Sequence, residues 1–298
     1  MSATPIITLP LPSQLSNGTT ADATQVMNDF NTIAAQVNTN GLNVADLSSL
    51  IGNVGSVVGT MRNGKMYVSA ASGSGTFSAD EIIVETALGG SALKVANFNQ
   101  TCTLVASGAG GMDTGIAPVS TFVALYAIYN ITTSTVSILG TLASVSVGNV
   151  YTGSHMPAGY TYSALLSVWA VNASSQFVYG AQLDRTFIGA NQVAITTSTA
   201  VVGQSLSIAS FVPVNAKSIS GTLLVQGTST SDSSLVIGSE YAGSSLLGHQ
   251  GAISYGSSQG YDNYSNLLLI TAQTVYYTLS INTGTLGNCS IYINGYTI

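Results

Sequence analysis

The sequence predicts a mainly β protein: a short N-terminal α-helical coiled-coil segment, then two antiparallel β-sandwich or jelly-roll-like domains. Three observations carry this expectation. Between Val26 and Val58 the apolar positions step alternately by 4 and 3 residues, which is a heptad ladder. From Lys65 onward the hydrophobic period falls to two, and Gly, Pro, Asn and Ser clusters divide the chain into short runs. Finally, only 5% of the 298 residues are charged while 46% are hydrophobic, the opposite of a disordered composition.

Residues 1–60 read as one module. Pro5, Pro10 and Pro12 fix φ and disfavour helix in the residues before them, so the chain opens extended. Asn17-Gly18 signals a turn, Thr19 or Thr20 can cap a helix, and Asp22 complements its first-turn dipole. A first helix is expected over 21–38 and a shorter one over 44–50. Gly41 between them costs about 1 kcal/mol relative to Ala and invites a kink. The seam is Val26, Phe30, Ile33, Val37, Asn40, Val44, Leu47 and Ile51, continuing through Val54 to Val58. So narrow a stripe is best buried against copies of itself, though short helices can also pack on a β-domain of the same chain. β-branched residues at both core positions favour a homotrimer, and Asn40 would fix register at some cost in stability.

Residues 61–189 carry strand-like runs at 82–87, 93–98, 102–106, 122–129, 136–142, 160–171 and 177–183. The run Phe122–Tyr129 is apolar on both faces and reads as a central, doubly covered strand. A boundary is expected near Gly189-Ala-Asn191. Residues 190–298 add runs at 193–197, 206–212, 219–226, 235–239, 252–255, 267–271, 275–281 and 290–296, a spacing typical of a second sandwich.

Composition also restricts function. Five basic residues against eleven acidic ones cannot neutralise a phosphate backbone, so nucleic acid is not an expected partner. Ser, Thr, Asn and Gly interrupt every apolar run, so no membrane-spanning helix is expected, and the first charge, Asp22, leaves no basic leader region. Cys102, Cys289, His155 and His249 lie in separate segments without metal-ligand spacing; neither metal nor cofactor is expected.

Several motifs resemble catalytic or binding signatures. Gly256-Ser-Ser-Gln-Gly260 matches G-x-S-x-G, but Tyr261-Asp-Asn-Tyr-Ser265 does not begin a helix, as a nucleophile elbow requires. Asp80, Glu81 and Glu85 could supply paired carboxylates for glycan cleavage, or simply protect a strand edge. Gly108–Asp113 reads as a tight turn rather than a phosphate cradle. His249, Tyr255, Tyr261, Asp262, Asn263 and Tyr264 gather rings, amide and carboxylate in a Gly/Ser setting. That chemistry suits a glycan or a host cell-surface polysaccharide, and equally an ordinary exposed loop. Tyr151, His155 and Tyr160 form a weaker group of the same kind, and Trp169 is expected in the core.

The segment Leu11–Asn31, above all Asn17-Gly-Thr-Thr-Ala-Asp-Ala-Thr-Gln-Val-Met27, resembles the N-terminus of tailed-bacteriophage tail fibre and head fibre virion proteins. Gly108-Ala-Gly-Gly-Met-Asp-Thr-Gly115, Val123–Asn130 and Met156-Pro-Ala-Gly-Tyr160 resemble a central domain of phage tail-associated proteins. The resemblance implies a non-enzymatic homotrimeric fibre located in the virion, docked by its N-terminus on a tail adaptor or capsid protein, with its C-terminal domain facing the host. Two alternatives stay open, a head fibre or capsid decoration protein without specific receptor binding, and a tailspike glycosidase.

Overall fold

The computed structural model describes residues 28, 30–39, 57–227, 231–255 and 259–298. The chain divides into two compact units, Met1–Ser56 and Val57–Ile298. In the first, residues 30–39 form helix α1, with Asn28 also helical. The hydroxyls of Thr32 and Thr39 donate to the carbonyls of Asn28 and Ala35 at 2.8 and 2.9 Å, the i−4 bond by which Thr is accommodated in a helix. Phe30, Ile33 and Val37 fall on one helical face.

The second unit is built from strands. In chain order they begin with β1 (Met61–Arg62), β2 (Lys65–Val68), β3 (Ser74–Glu85), β4 (Ala92–Ser107) and β5 (Gly111–Met112). Next come β6 (Thr121–Asn130), β7 (Thr135–Leu142), β8 (Tyr162–Val171), β9 (Gly180–Leu183) and β10 (Thr186–Thr197). The remainder are β11 (Val201–Ser207), β12 (Ser218–Gln226), β13 (Asp232–Gly238), β14 (Glu240–Tyr241), β15 (Leu246–Leu247), β16 (Gln250–Tyr255), β17 (Gln259–Leu268), β18 (Thr274–Thr283) and β19 (Cys289–Thr297).

A 13-stranded sheet runs β17-β12-β19-β10-β9-β2-β3-β4-β5-β7-β6-β8, with β1 paired to β3. It is mixed, because the short β5 pairs parallel to both β4 and β7; the expected purely antiparallel pattern fails at this one inserted strand. β3 also meets β8 at Glu85–Ser163, so the path from β3 through β4, β5, β7, β6 and β8 returns to its start. A second, antiparallel sheet has the order β11-β18-β13-β16.

β6 and β8 are buried along almost their whole length, as expected for Phe122–Tyr129. Gly189-Ala-Asn191, where a boundary was expected, lies inside β10 as a bulge: Ile188 pairs with Gly295, and the next pair is Gln192–Ile293. Aromatic rings then bridge residues on either side of that point. Trp169 meets Phe177 and Phe187 edge-on at 6.4 and 4.7 Å, Phe187 stacks on Tyr296 at 4.8 Å, and Tyr296 meets Phe122 at 6.5 Å. The Tyr296 hydroxyl donates to Val168 O at 2.6 Å. Residues 57–298 thus share one core.

Val58, the last rung of the heptad ladder, belongs to this core and is only 7% exposed. Its neighbour Gly59 donates its N–H to Ile83 O and accepts from Arg185 Nη2 at 2.9 Å. The ladder as read from sequence therefore runs too far: its final position serves the β unit.

Candidate functional site

Three features of the described residues could contact something else: the face of α1, the β16–β17 hairpin and a groove beside the β10 bulge. On α1, Phe30 is 63% exposed and Val37 56%, with Ile33 half-buried between them. The other seam residues, Val26, Asn40, Val44, Leu47 and Ile51, lie outside the described residues.

β16 edges the small sheet and β17 edges the large one, so their hairpin joins the two layers. Ser265 N donates to the Gln250 side chain at 3.2 Å, and Gln250 Nε2 returns a bond to Ser265 O at 3.1 Å. Four residues of strand then separate this level from Tyr261, roughly 13 Å. His249 therefore sits at one end of the hairpin, its Nδ1 3.3 Å from Leu246 O, and Tyr261 sits at the other. The sequence cluster is thus spread along the hairpin. Tyr261, Asp262 and Asn263 are exposed; the Tyr261 hydroxyl donates to Gln259 Oε1 at 2.8 Å, and Thr222 Oγ1 donates to Asn263 Oδ1 at 2.9 Å. Tyr255 ends β16 opposite Asp232, and its side chain lies outside the described residues.

Tyr264 corrects the expectation. It is 1% exposed and its hydroxyl donates to Tyr292 O at 2.7 Å. Burial raises its pKa above the ordinary tyrosine value. The ring lies over Gly221, where an added Cβ would overlap Tyr292 O. Tyr264 is a core residue and cannot contact a ligand.

The candidate carboxylates are dispersed as well. Asp80 is exposed and accepts from Asn63 Nδ2, Glu81 lies 3.8 Å from Lys94 Nζ, and buried Glu85 accepts from Gly89 N at 3.2 Å. Asp113 accepts from Thr141 at 2.6 Å and from the Tyr151 hydroxyl at 2.9 Å. Burial, then the bonded Asp113 carboxylate, pushes Tyr151 up to about 12. Gly108 and Gly110 take φ of 89° and 87°, and Gly108 N donates to Met112 O at 2.7 Å, the tight turn expected there. A strand, β17, begins within the G-x-S-x-G sequence at Gln259 and continues to Leu268, where a nucleophile elbow would need a helix. Among the described residues no group of three His, Cys, Asp or Glu is placed to hold a metal ion, and no helix is long and apolar enough to cross a membrane.

The groove was not legible in the sequence. A hollow of about 520 Å³ is lined by Ser120, Thr121, Phe122, Ser144, Gln192 and Gln273. A smaller one of about 120 Å³ adjoins it across Ala170, Val178 and Gln192, and adds Tyr179, Phe211 and Asn294. Neither lining carries a formal charge. Hydroxyls, amides and the half-exposed Tyr179 ring suit a neutral polyhydroxylic ligand better than an ion. The only sequence signal was Gly189-Ala-Asn191, which marks the bulge that turns Gln192 toward the groove.

No protein family, curated protein or solved structure matches this chain.

Proposed function

We propose that the chain is a structural bacteriophage virion protein, a non-enzymatic homotrimeric fibre. The N-terminal residues up to Ser56 hold three copies together in a coiled coil and dock on another virion protein, either a tail adaptor or the capsid. The jelly-roll-like end, in which β10, β12, β17 and β19 oppose β11, β13, β16 and β18, contacts the host surface. One observation carries the reading: α1 presents Phe30 and Val37 to solvent at heptad spacing, and a helix so short and so exposed is not stable alone in water. The N-terminal resemblance supplies the particle, and the charge-poor surface suits a persistent extracellular assembly. The contact on the host side is assigned to Tyr261, Asp262 and Asn263 and to the groove around Gln192. The dispersal of Asp80, Glu81 and Glu85 supports a binding role over glycan cleavage, which needs two carboxyl groups across one sugar bond.

Two experiments with the full chain test this. Antibodies against it should label the tail of intact particles, and the purified chain should compete with infection by occupying host receptors. Labelling of the capsid with no competition would favour the head fibre alternative. Release of reducing ends from host polysaccharide would contradict the non-enzymatic reading.

A further inference from the structure

Three charge-free stretches of the chain meet at the groove beside the β10 bulge. No Asp, Glu, Lys or Arg occurs in residues 114–183, 186–216 or 263–298, and every residue lining the two hollows comes from one of them. At the bulge, residues 189–191 of β10 face Asn294 alone on β19, and Gln192 lines both hollows. The groove is preformed. Phe122 lines the larger hollow, Phe187 and Tyr296 the smaller, and these buried rings hold one another by edge and stacking contacts. The loop segments beside them are pinned as well. Ile208 N donates to Gln273 O at 2.8 Å, and Gln273 Nε2 donates to Val212 O at 2.7 Å. The Asn215 side chain accepts from Val147 N at 3.0 Å and donates to Val147 O at 2.8 Å. Hydrogen-bonding capacity is nevertheless left over. Gln182 and Gln273 use their amides on backbone carbonyls, whereas the side chains of Ser120, Thr121, Ser144, Ser210 and Gln192 have no hydrogen-bond partner among the described residues.

We propose that the groove binds a neutral oligosaccharide, with Gln192 bonding sugar hydroxyls in both hollows and the Tyr179 ring stacking on a sugar CH face; the assignment rests on the host-contact reading of the same groove. A sugar ring presents apolar CH faces and a rim of hydroxyls. Ala170, Val178 and the aromatic rings meet the first, and the unused hydroxyls and amide meet the second. The larger hollow, about 520 Å³, falls within the roughly 300–1,000 Å³ of small-molecule sites. The smaller one continues it past Gln192, which suits a chain of linked sugars better than a single ring. Charge decides the class of glycan. A uronate, sialate or phosphate group would lose its hydration here with no cation to receive it, and the chain as a whole carries a net charge of −6. Walls already ordered limit the entropy lost on binding. Because no charges are involved, affinity should be nearly independent of salt.

An array of neutral and acidic bacterial surface oligosaccharides, probed with the full chain, tests it. The expected result is retention on neutral glycans that changes less than about twofold between about 0.05 and about 0.5 M NaCl. Gln192→Ala and Tyr179→Ala should each weaken it about tenfold. Both residues are exposed, so an unchanged thermal transition shows that the variants fold. Leu88→Ala, in the exposed β3–β4 turn, is the control and should bind as the native chain does. Retention on acidic glycans that falls with salt overturns the neutral class. Retention abolished by Tyr261→Ala but not by Gln192→Ala or Tyr179→Ala overturns the groove site and leaves the host contact standing on the hairpin. If no glycan is retained while the chain still competes with infection, the sugar ligand falls and the host-contact reading stands. Neither retention nor competition overturns both.

Discussion

Hydroxyl pairs take the place of ion pairs across these sheets. Thr76–Thr101, Thr196–Ser290 and Ser234–Ser280 stand directly opposite one another with oxygens 2.7, 2.8 and 2.7 Å apart, while among the described residues Lys94–Glu81 is the single ion pair. Cross-strand pairs of this kind contribute a few tenths of a kcal/mol each and need no salt-sensitive charge. Buried tyrosine hydroxyls matter more singly. Tyr264→Phe removes the donor to Tyr292 O and should lower stability by about 1–3 kcal/mol, read as a fall in denaturant midpoint at unchanged m-value. It should leave host binding intact, because the ring touches no surface. Tyr126, Tyr151, Tyr264 and Tyr296 all have pKa values raised chiefly by burial. Their folded pKa values exceed the unfolded value of 10.0, so in the window above it the unfolded chain binds fewer protons. Stability should then be full below pH 10 and fall as pH rises through the folded values, about 12 for Tyr151. Tyrosinate absorbance should accordingly include a step that coincides with unfolding; smooth ionisation of all fifteen tyrosines in the folded protein would contradict this. The hairpin cluster shows the limit of composition at this scale. Tyr261 and Tyr264 are indistinguishable by residue type, and only the β12–β17 register, with Tyr264 opposite Gly221, sends one outward and one into the core.

Among elements, period was the dependable guide and continuity was not. The all-apolar run in β6 and the alternation of β12, β13 and β18 were readable because side-chain direction follows position. The runs at 93–98 and 102–106 proved to be one strand, β4, since Asn99, Gln100 and Thr101 continue the ladder with β3 despite their polarity. β2 was missed, because four residues are too short for a period to register, whereas β9 (Gly180–Leu183) falls inside the run expected at 177–183. Gly189–Asn191 reads as punctuation by composition, yet a bulge uses the same residues without ending the strand. A helix does carry Phe30, Ile33 and Val37 of the ladder, whereas Val58, whose apolar side chain fits either a seam or a sandwich core, lies in the β unit. Phe30→Asp/Val37→Asp should therefore abolish oligomerisation, since carboxylates would converge where apolar side chains meet. The same change should leave the β unit's thermal transition within a few degrees, because neither residue belongs to it.

For the whole molecule, the aromatic string Phe177–Trp169–Phe187–Tyr296–Phe122 links residues 57–298 through one core, and a single cooperative transition is the expected outcome. Phe187→Ala would empty the centre of that string and should cost about 3–5 kcal/mol. It should shift a single calorimetric transition downward rather than split it; two transitions would show that residues 61–189 and 190–298 unfold independently. The proposed fibre depends on α1 finding its copies. The direct test is the mass of the full chain in solution at micromolar concentration, measured by light scattering. Three times the 30.3 kDa of one chain is expected, collapsing to one chain in Phe30→Asp/Val37→Asp. A native protein that runs as a 30.3 kDa monomer would contradict it.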